Sequence, residues 1–121
     1  MFKEVLQEAL HRTEGCLGVL IMGTDGIPVE KAWKPEATEK NLDIAVAEYT
    51  ALVRNAKRAN RDLGLGMLNE VVLSGEGGIF ILRFVGEDYF IAMILSPEGN
   101  FGRGRYELRR AELLLEKEFV I

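Results

Sequence analysis

Residues 18–26 read GVLIMGTDG. Gly18 and Gly23 have the spacing of a phosphate-binding loop, G-x-x-x-x-G, and a Thr follows them. That loop also needs a Lys after the second Gly, because the Lys reaches the β and γ phosphates while backbone N–H groups cradle them. Thr24 stands where the Lys belongs. The residues between the glycines, Val19, Leu20, Ile21 and Met22, are strand-core types rather than a polar loop. The next segment, IPVEKAW at 27–33, suits a strand where the motif demands a helix N-terminus. The stretch therefore reads as a buried strand over 16–23, a tight turn at Thr24-Asp25-Gly26 and a second strand over 27–33. Gly26 is free to take a positive φ in that turn. Pro28 has no N–H to donate, which places the second strand at a sheet edge or starts it there.

Outward from this hairpin the pattern alternates. Upstream, Phe2, Val5, Leu6, Ala9 and Leu10 recur at helical spacing over residues 2–14, and Gly15 is a natural stop. Downstream, KPEATEKN is a connection with Thr38 as a helix cap. A long helix then runs from about Thr38 to Leu63. Its stripe of Leu42, Ala45, Tyr49, Leu52, Ala56, Ala59 and Leu63, widened by Val46 and Val53, is expected to face a sheet, and Gly64 ends it. Three short runs follow, MLNEVVLS, IFILRFV and YFIAMIL, separated by GEGG and GED hairpin turns. A last helix is expected from about Arg105, with Leu108, Ala111, Leu114, Leu115 and Phe119 on its apolar face. The element order is α-β-β-α-β-β-β-α.

Composition bounds the function. At 121 residues the chain, 1–121, is expected to be a single domain. A net charge of −4 argues against a nucleic-acid partner, which calls for a basic surplus. No apolar run is long enough to span a bilayer, so membrane insertion is not expected. The single Cys, Cys16, allows no internal disulfide and points to a cytoplasmic location. Catalytic groups do not assemble either. His11 is the only His and reads as a surface residue of the first helix. Cys16 reads as a core thiol. Asp25, Glu87 and Asp88 sit beside turn glycines, where acidic residues are ordinary turn chemistry. No Cys/His cluster has metal spacing. Gly64-x-Gly66 precedes a strand instead of following one, and after Gly102-x-Gly104 position 107 is Glu where a dinucleotide fingerprint needs its third Gly. The expectation is a protein that is not an enzyme, with no catalytic residue, no metal site and no cofactor.

Two segments carry a likeness to a known family. GCLGVLIMGTDGIPVEKAW (15–33) and GNFGRGRYELRRAE (99–112), with the long helix between them and the same order of elements throughout, resemble the Roadblock/dynein light chain family. The resemblance implies an α+β fold: a profilin-like five-stranded antiparallel sheet in the order 2-1-5-4-3, with the middle helix on one face and the terminal helices on the other. It implies a homodimer, or a heterodimer with a sister domain, joined through the third strand and the middle helix. It also implies a function, since family members act as scaffolds and regulators of small Ras-like GTPases, and some bacterial members raise the hydrolysis rate of a polarity GTPase. Some bacterial relatives carry extra terminal residues that help grip a GTPase. Here the sequence stops at Ile121, directly after the last apolar turn, so a tail-mediated contact is not expected.

The residues suggest where such contacts fall. If the third strand lies at an edge, its unpaired backbone groups at Val71, Val72 and Leu73 invite pairing with a second copy. On the middle helix Ile44, Ala47 and Ala51 are expected on the side away from the sheet, where small residues permit close approach. These six residues form the expected dimer interface. The same helix carries Arg54, Lys57, Arg58 and Arg61. One account is that cations near a helix C-terminus complement the macrodipole, for about 0.3–1 kcal/mol each. The other is a surface of Ala47, Ala51, Arg54, Lys57 and Arg61 that meets a GTPase. Three classes stand side by side: a GTPase regulator or scaffold first, then a homodimeric module in a motor or signalling assembly, and last a small-ligand sensor, for which no convergent polar pocket is evident.

Overall fold

The computed structural model describes residues 2–35 and 42–119, with side chains over 2–35 and 46–118. Helix α1 (Phe2–Arg12) leads into β1 (Cys16–Gly23) and β2 (Pro28–Trp33). Helix α2 (Leu42–Asp62) is followed by β3 (Glu70–Gly75), β4 (Gly78–Val85) and β5 (Tyr89–Leu95), and α3 (Phe101–Phe119) closes the chain. The five strands form one sheet in the order β2-β1-β5-β4-β3, with every neighbouring pair antiparallel. This is the α+β, profilin-like topology implied by the resemblance. Strands β2 and β3 are its edges; Pro28 both starts β2 and lies on an edge strand, and the third strand meets the edge condition set for its pairing with a second copy. The expected Thr38 cap lies outside the described residues.

Strand β1 shows why the sheet has two cores. Successive side chains point to opposite faces. Val19 and Ile21 join Leu6, Leu10, Ile81, Ile91, Met93, Leu95, Leu108 and Leu115 beneath α1 and α3. Leu20 and Met22 join Val46, Val53, Phe80, Leu82, Phe84 and Phe90 beneath α2. A strand covered on both faces reads as a continuous apolar run, which is what the four residues between Gly18 and Gly23 are.

The two glycines that imitate a phosphate loop have packing roles instead. Gly18 pairs with Trp33 across the β1–β2 ladder. A Cβ built on Gly18 would lie 1.3 Å from Cε3 of Trp33, so the indole occupies the space a side chain would need. A Cβ on Gly23 would lie 2.5 Å from Oδ1 of Asp25. That carboxylate accepts the Ile27 N–H at 3.0 Å, a local turn bond that fixes the hairpin.

Helix α2 ends as expected near Gly64. The Gly64 N–H donates to the Arg61 carbonyl at 3.0 Å and the Leu65 N–H to the Asn60 carbonyl at 2.9 Å, the paired bonds of a Schellman stop. Its orientation differs from the expectation. Val46, Thr50 and Val53 are the buried residues, whereas Tyr49 is exposed, Leu52 is 47% exposed and Leu63 is 74% exposed. Ala47, expected on the side away from the sheet, is half-buried and packs on the α2-side core. From Tyr49 to Leu63 the stripe expected to face the sheet is thus one flank of the helix, and the β-branched residues that seemed to widen it are its centre; the side chains of Leu42 and Ala45 lie outside the described residues. Helix α3 also starts earlier than expected, at Phe101 rather than Arg105, because Asn100 caps it. Its Oδ1 accepts the Arg103 N–H at 3.0 Å. Gly104 lies in this first turn, where a Cβ would come within 3.1 Å of Met93 Sδ, so its missing side chain lets the helix settle on the sheet. Leu108, Ala111 and Leu115 are buried as expected, but Leu114 is partly exposed.

Gly18→Ala should destabilise the domain by about 1–3 kcal/mol, because the new methyl must displace Trp33. Chemical denaturation measures it. With Trp33→Leu already present, the same Gly18→Ala step should cost less, a coupling that a double-mutant cycle detects.

Candidate functional site

Two polar bonds set how α2 lies on the sheet. Arg54 donates from Nη1 to the Thr24 carbonyl at 3.0 Å, and Lys57 donates from Nζ to the Glu87 carbonyl at 3.1 Å. The two turns they reach are themselves joined, because the Thr24 N–H donates to the Asp88 carbonyl at 2.8 Å. On the other side, the Tyr49 ring lies 4.8 Å from that of Phe80 on β4, whose ladder partner is Leu73 of β3. With 3.6 residues per turn, the helix therefore presents two flanks of different chemistry. Ala47, Ala51, Arg54, Arg58 and Arg61 lie towards the joined turns. Tyr49, Leu52, Ala56, Ala59 and Leu63 lie towards β3.

The basic flank borders a cleft of about 630 Å³ between the second half of α2 and the β4–β5 turn. Arg54, Lys57, Arg58 and Arg61 line it, with Thr24, Met67, Leu68 and Phe84. Lys57 also sits 4.7 Å above the Phe84 ring, a cation–π contact. Among the described residues none of the four cations pairs with a carboxylate. The macrodipole accounts for part of this charge only. It acts within the last turn, where Arg61 is the basic residue. Arg54 and Lys57 lie further back along the helix, beyond its reach.

Past the apolar flank, Leu65 and Met67 are both more than 60% exposed, Met67 at the wall of the cleft, before the chain enters edge strand β3. Val71 and Leu73 of β3 pack inward against the α2-side core, and Val72 is exposed on the opposite face. The two sheet edges are not alike. β2 is blunted by Pro28 and by Lys3, whose Nζ donates to the Lys31 carbonyl and lies 3.7 Å from Glu30.

Behind β3 and β4 an ion network holds α3. Arg83 of β4 lies opposite Glu70 of β3 in the ladder and bridges it to Glu112 of α3. Arg105 Nη2 reaches Glu70 at 2.8 Å and Arg109 Nη1 reaches Glu112 at 2.9 Å. Burial pushes the Glu112 carboxyl upward, but the hydrogen bonds and charges of Arg83 and Arg109 outweigh it and hold the group below its ordinary range. Glu107, fully buried nearby, has Arg103 at 2.8 Å and Arg110 at 3.8 Å, ion pairs without an aligned hydrogen bond. Arg110 also reaches Glu8 of α1 at 2.7 Å, tying the two terminal helices together.

Comparison with known proteins gives these surfaces a context. Residues 2–95 match the family model of the Roadblock/LC7 domain. This chain belongs to the Roadblock/LC7 family. MglC from Myxococcus xanthus is 35% identical, with 95% of this chain and 96% of that chain covered and a TM-score of 0.68. The uncharacterized protein MJ0310 of Methanocaldococcus jannaschii is 29% identical over 111 residues, covering 92% of this chain and 93% of the relative. The gliding protein MglB from Thermus thermophilus shares the fold, with a TM-score of 0.85 at 21% identity over 94% of this chain and 84% of that one.

Within this Roadblock domain the residues singled out from sequence fall into two groups. Arg54, Lys57 and Arg61 converge on one cleft, with Ala47 and Ala51 on the same flank. Val71, Val72 and Leu73 lie on an open edge, on the far side of α2 from Ala47 and Ala51, and the side chain of Ile44 lies outside the described residues. The other candidates keep modest roles. His11 is exposed on α1. Cys16 is buried, its thiol pushed up to about 11 by that burial, which keeps it protonated and unreactive at neutral pH. Sequence patterns missed two features. The apolar flank looked like the buried stripe, and Phe84, Leu68 and Gly86 of the cleft carry no motif. No described helix is long and apolar enough to cross a membrane, and no group of metal-binding side chains occurs among the described residues.

The Glu112 network makes stability pH-dependent. A carboxyl held below its ordinary range contributes stability above that range and loses it as the pH falls through the folded value. Glu112→Gln should therefore cost about 1–3 kcal/mol at neutral pH and less as the pH drops below about 4. Urea denaturation of both proteins across that range checks the sign, and a pH-independent difference would remove Glu112 from the account.

Proposed function

We propose that this Roadblock domain is a dimeric, non-catalytic regulator or scaffold of a small Ras-like GTPase. The observation that carries the reading is the division of α2 into an apolar flank beside an open sheet edge and a basic flank whose cations form no ion pair among the described residues. Family membership supports a GTPase as the partner, because Roadblock proteins act as scaffolds and regulators of such enzymes. The apolar flank suits self-association. A second copy brought to β3 extends the sheet and covers Tyr49, Leu52 and Leu63, and a stable interface of this kind buries about 800 Å² per partner. Arg103 and Arg105 are each held by a carboxylate, at Glu107 and Glu70. That pairing argues against an arginine finger offered in trans and favours action through surface complementarity. Any stimulation of hydrolysis then comes from positioning the GTPase's own residues. The second reading, a homodimeric module in a motor or signalling assembly, needs only the apolar flank.

Leu52→Glu should shift the light-scattering mass from dimer to monomer, whereas Ala51→Arg, on the opposite flank, should leave it unchanged. The reverse pattern would move the interface to the Ala47–Ala51 side.

Charge reversal at Arg58 and Arg61 together, exposed cations of the same flank that make neither of the bonds anchoring α2, should weaken binding of the cognate GTPase without unfolding the domain. Exposed substitutions usually change stability by less than about 0.5 kcal/mol. Switch loops order around the γ-phosphate and magnesium, so a partner that reads them binds the GTP-analogue form more tightly. Calorimetry against both nucleotide forms separates the readings. Equal affinity for the GDP form favours a plain scaffold, and no binding to either form favours the second reading.

A further inference from the structure

We propose that the cleft between the second half of α2 and the β4–β5 turn is a binding site for a compact polyphosphate-class anion. Its shape and its charge point the same way. A volume of about 630 Å³ lies within the usual size of a small-ligand pocket, roughly 300–1,000 Å³. Four cationic side chains line it against two acidic ones, Glu87 and Asp88. That surplus sits on a chain whose overall charge is −4, so the positive potential is local to the cleft and not a property of the whole surface.

The cations are also partly positioned before any ligand arrives. Arg54 and Lys57 are held by the Thr24 and Glu87 carbonyls, neutral acceptors that leave their full charge in place. Arg58 and Arg61 are spaced three apart on the same helix, so both reach the same opening. Guanidinium forks match the geometry of phosphate oxygens and can engage them in pairs. The floor excludes one alternative. The Phe84 ring is only 7% exposed and lies under Lys57, so it offers no platform for a nucleobase. The cleft therefore reads phosphates, whether free or carried by a nucleotide, and not the base.

The test uses the isolated chain, so its failure leaves the GTPase reading untouched, and loss of GTPase binding leaves this inference untouched. ¹⁵N-labelled protein is titrated with sodium tripolyphosphate at constant ionic strength. Saturable shifts are expected at amides of residues 54–61, 66–68 and 84–88, with affinity at least tenfold weaker in Arg58→Gln/Arg61→Gln, whose unchanged melting temperature shows that it is folded. GTP is expected to bind no more tightly than tripolyphosphate, and citrate much more weakly. Shifts that do not saturate, equal affinity in the variant, equal binding of citrate, or a marked preference for GTP would each overturn the proposal.

Discussion

Strand β1 has water on neither face, and the rest of the architecture follows from that constraint. Its side chains alternate between the core under α1 and α3 and the core under α2, so both layers must be present for the strand to be buried. Each fully buried Leu, Ile, Met or Val contributes on the order of 1.5–3 kcal/mol relative to exposure. The turn after β1 is then placed by the strand, and through Thr24 it fixes the β4–β5 turn and the basic end of α2.

The two faces of the sheet are covered unequally. Five strands spaced about 4.8 Å apart span roughly 20 Å, and a helix with its side chains is about 10–12 Å across. Two helices suffice for one face, while α2 alone is too narrow for the other. The shortfall appears on the β3 side, where Val71 and Leu73 are only half-buried and the adjoining flank of α2 carries exposed Tyr49 and Leu52. An apolar surface left at the end of a sheet whose opposite edge is blunted is a reason for association that comes from the width of the elements.

Much of this was legible in the chain. The missing Lys after Gly23 and the strand residues before it separated the hairpin from a phosphate loop, and the family resemblance carried by residues 15–33 and 99–112 and by the order of elements implied the sheet order. The long helix was legible as a helix but not in its rotation. Seven apolar residues at ideal spacing outnumbered Val46, Thr50 and Val53, and a threonine at the centre of a buried face does not look like core. Thr50 is tolerated there because its hydroxyl donates to the Ala47 carbonyl at 2.6 Å. The cleft was half legible. Its cations form a pattern on one helix, but its far wall comes from turns some 30 residues away, joined by backbone bonds that no side-chain pattern encodes.

The anchors of α2 have a consequence for how such a domain can diverge. Arg54 and Lys57 grip carbonyl oxygens of residues 24 and 87, and every amino acid supplies that atom. Positions 24 and 87 can therefore exchange side chains freely while the helix keeps its placement. The two turns can change composition to suit a new partner, provided their backbone path is preserved. The rim of the cleft can change its side chains without disturbing the helix that forms its other wall.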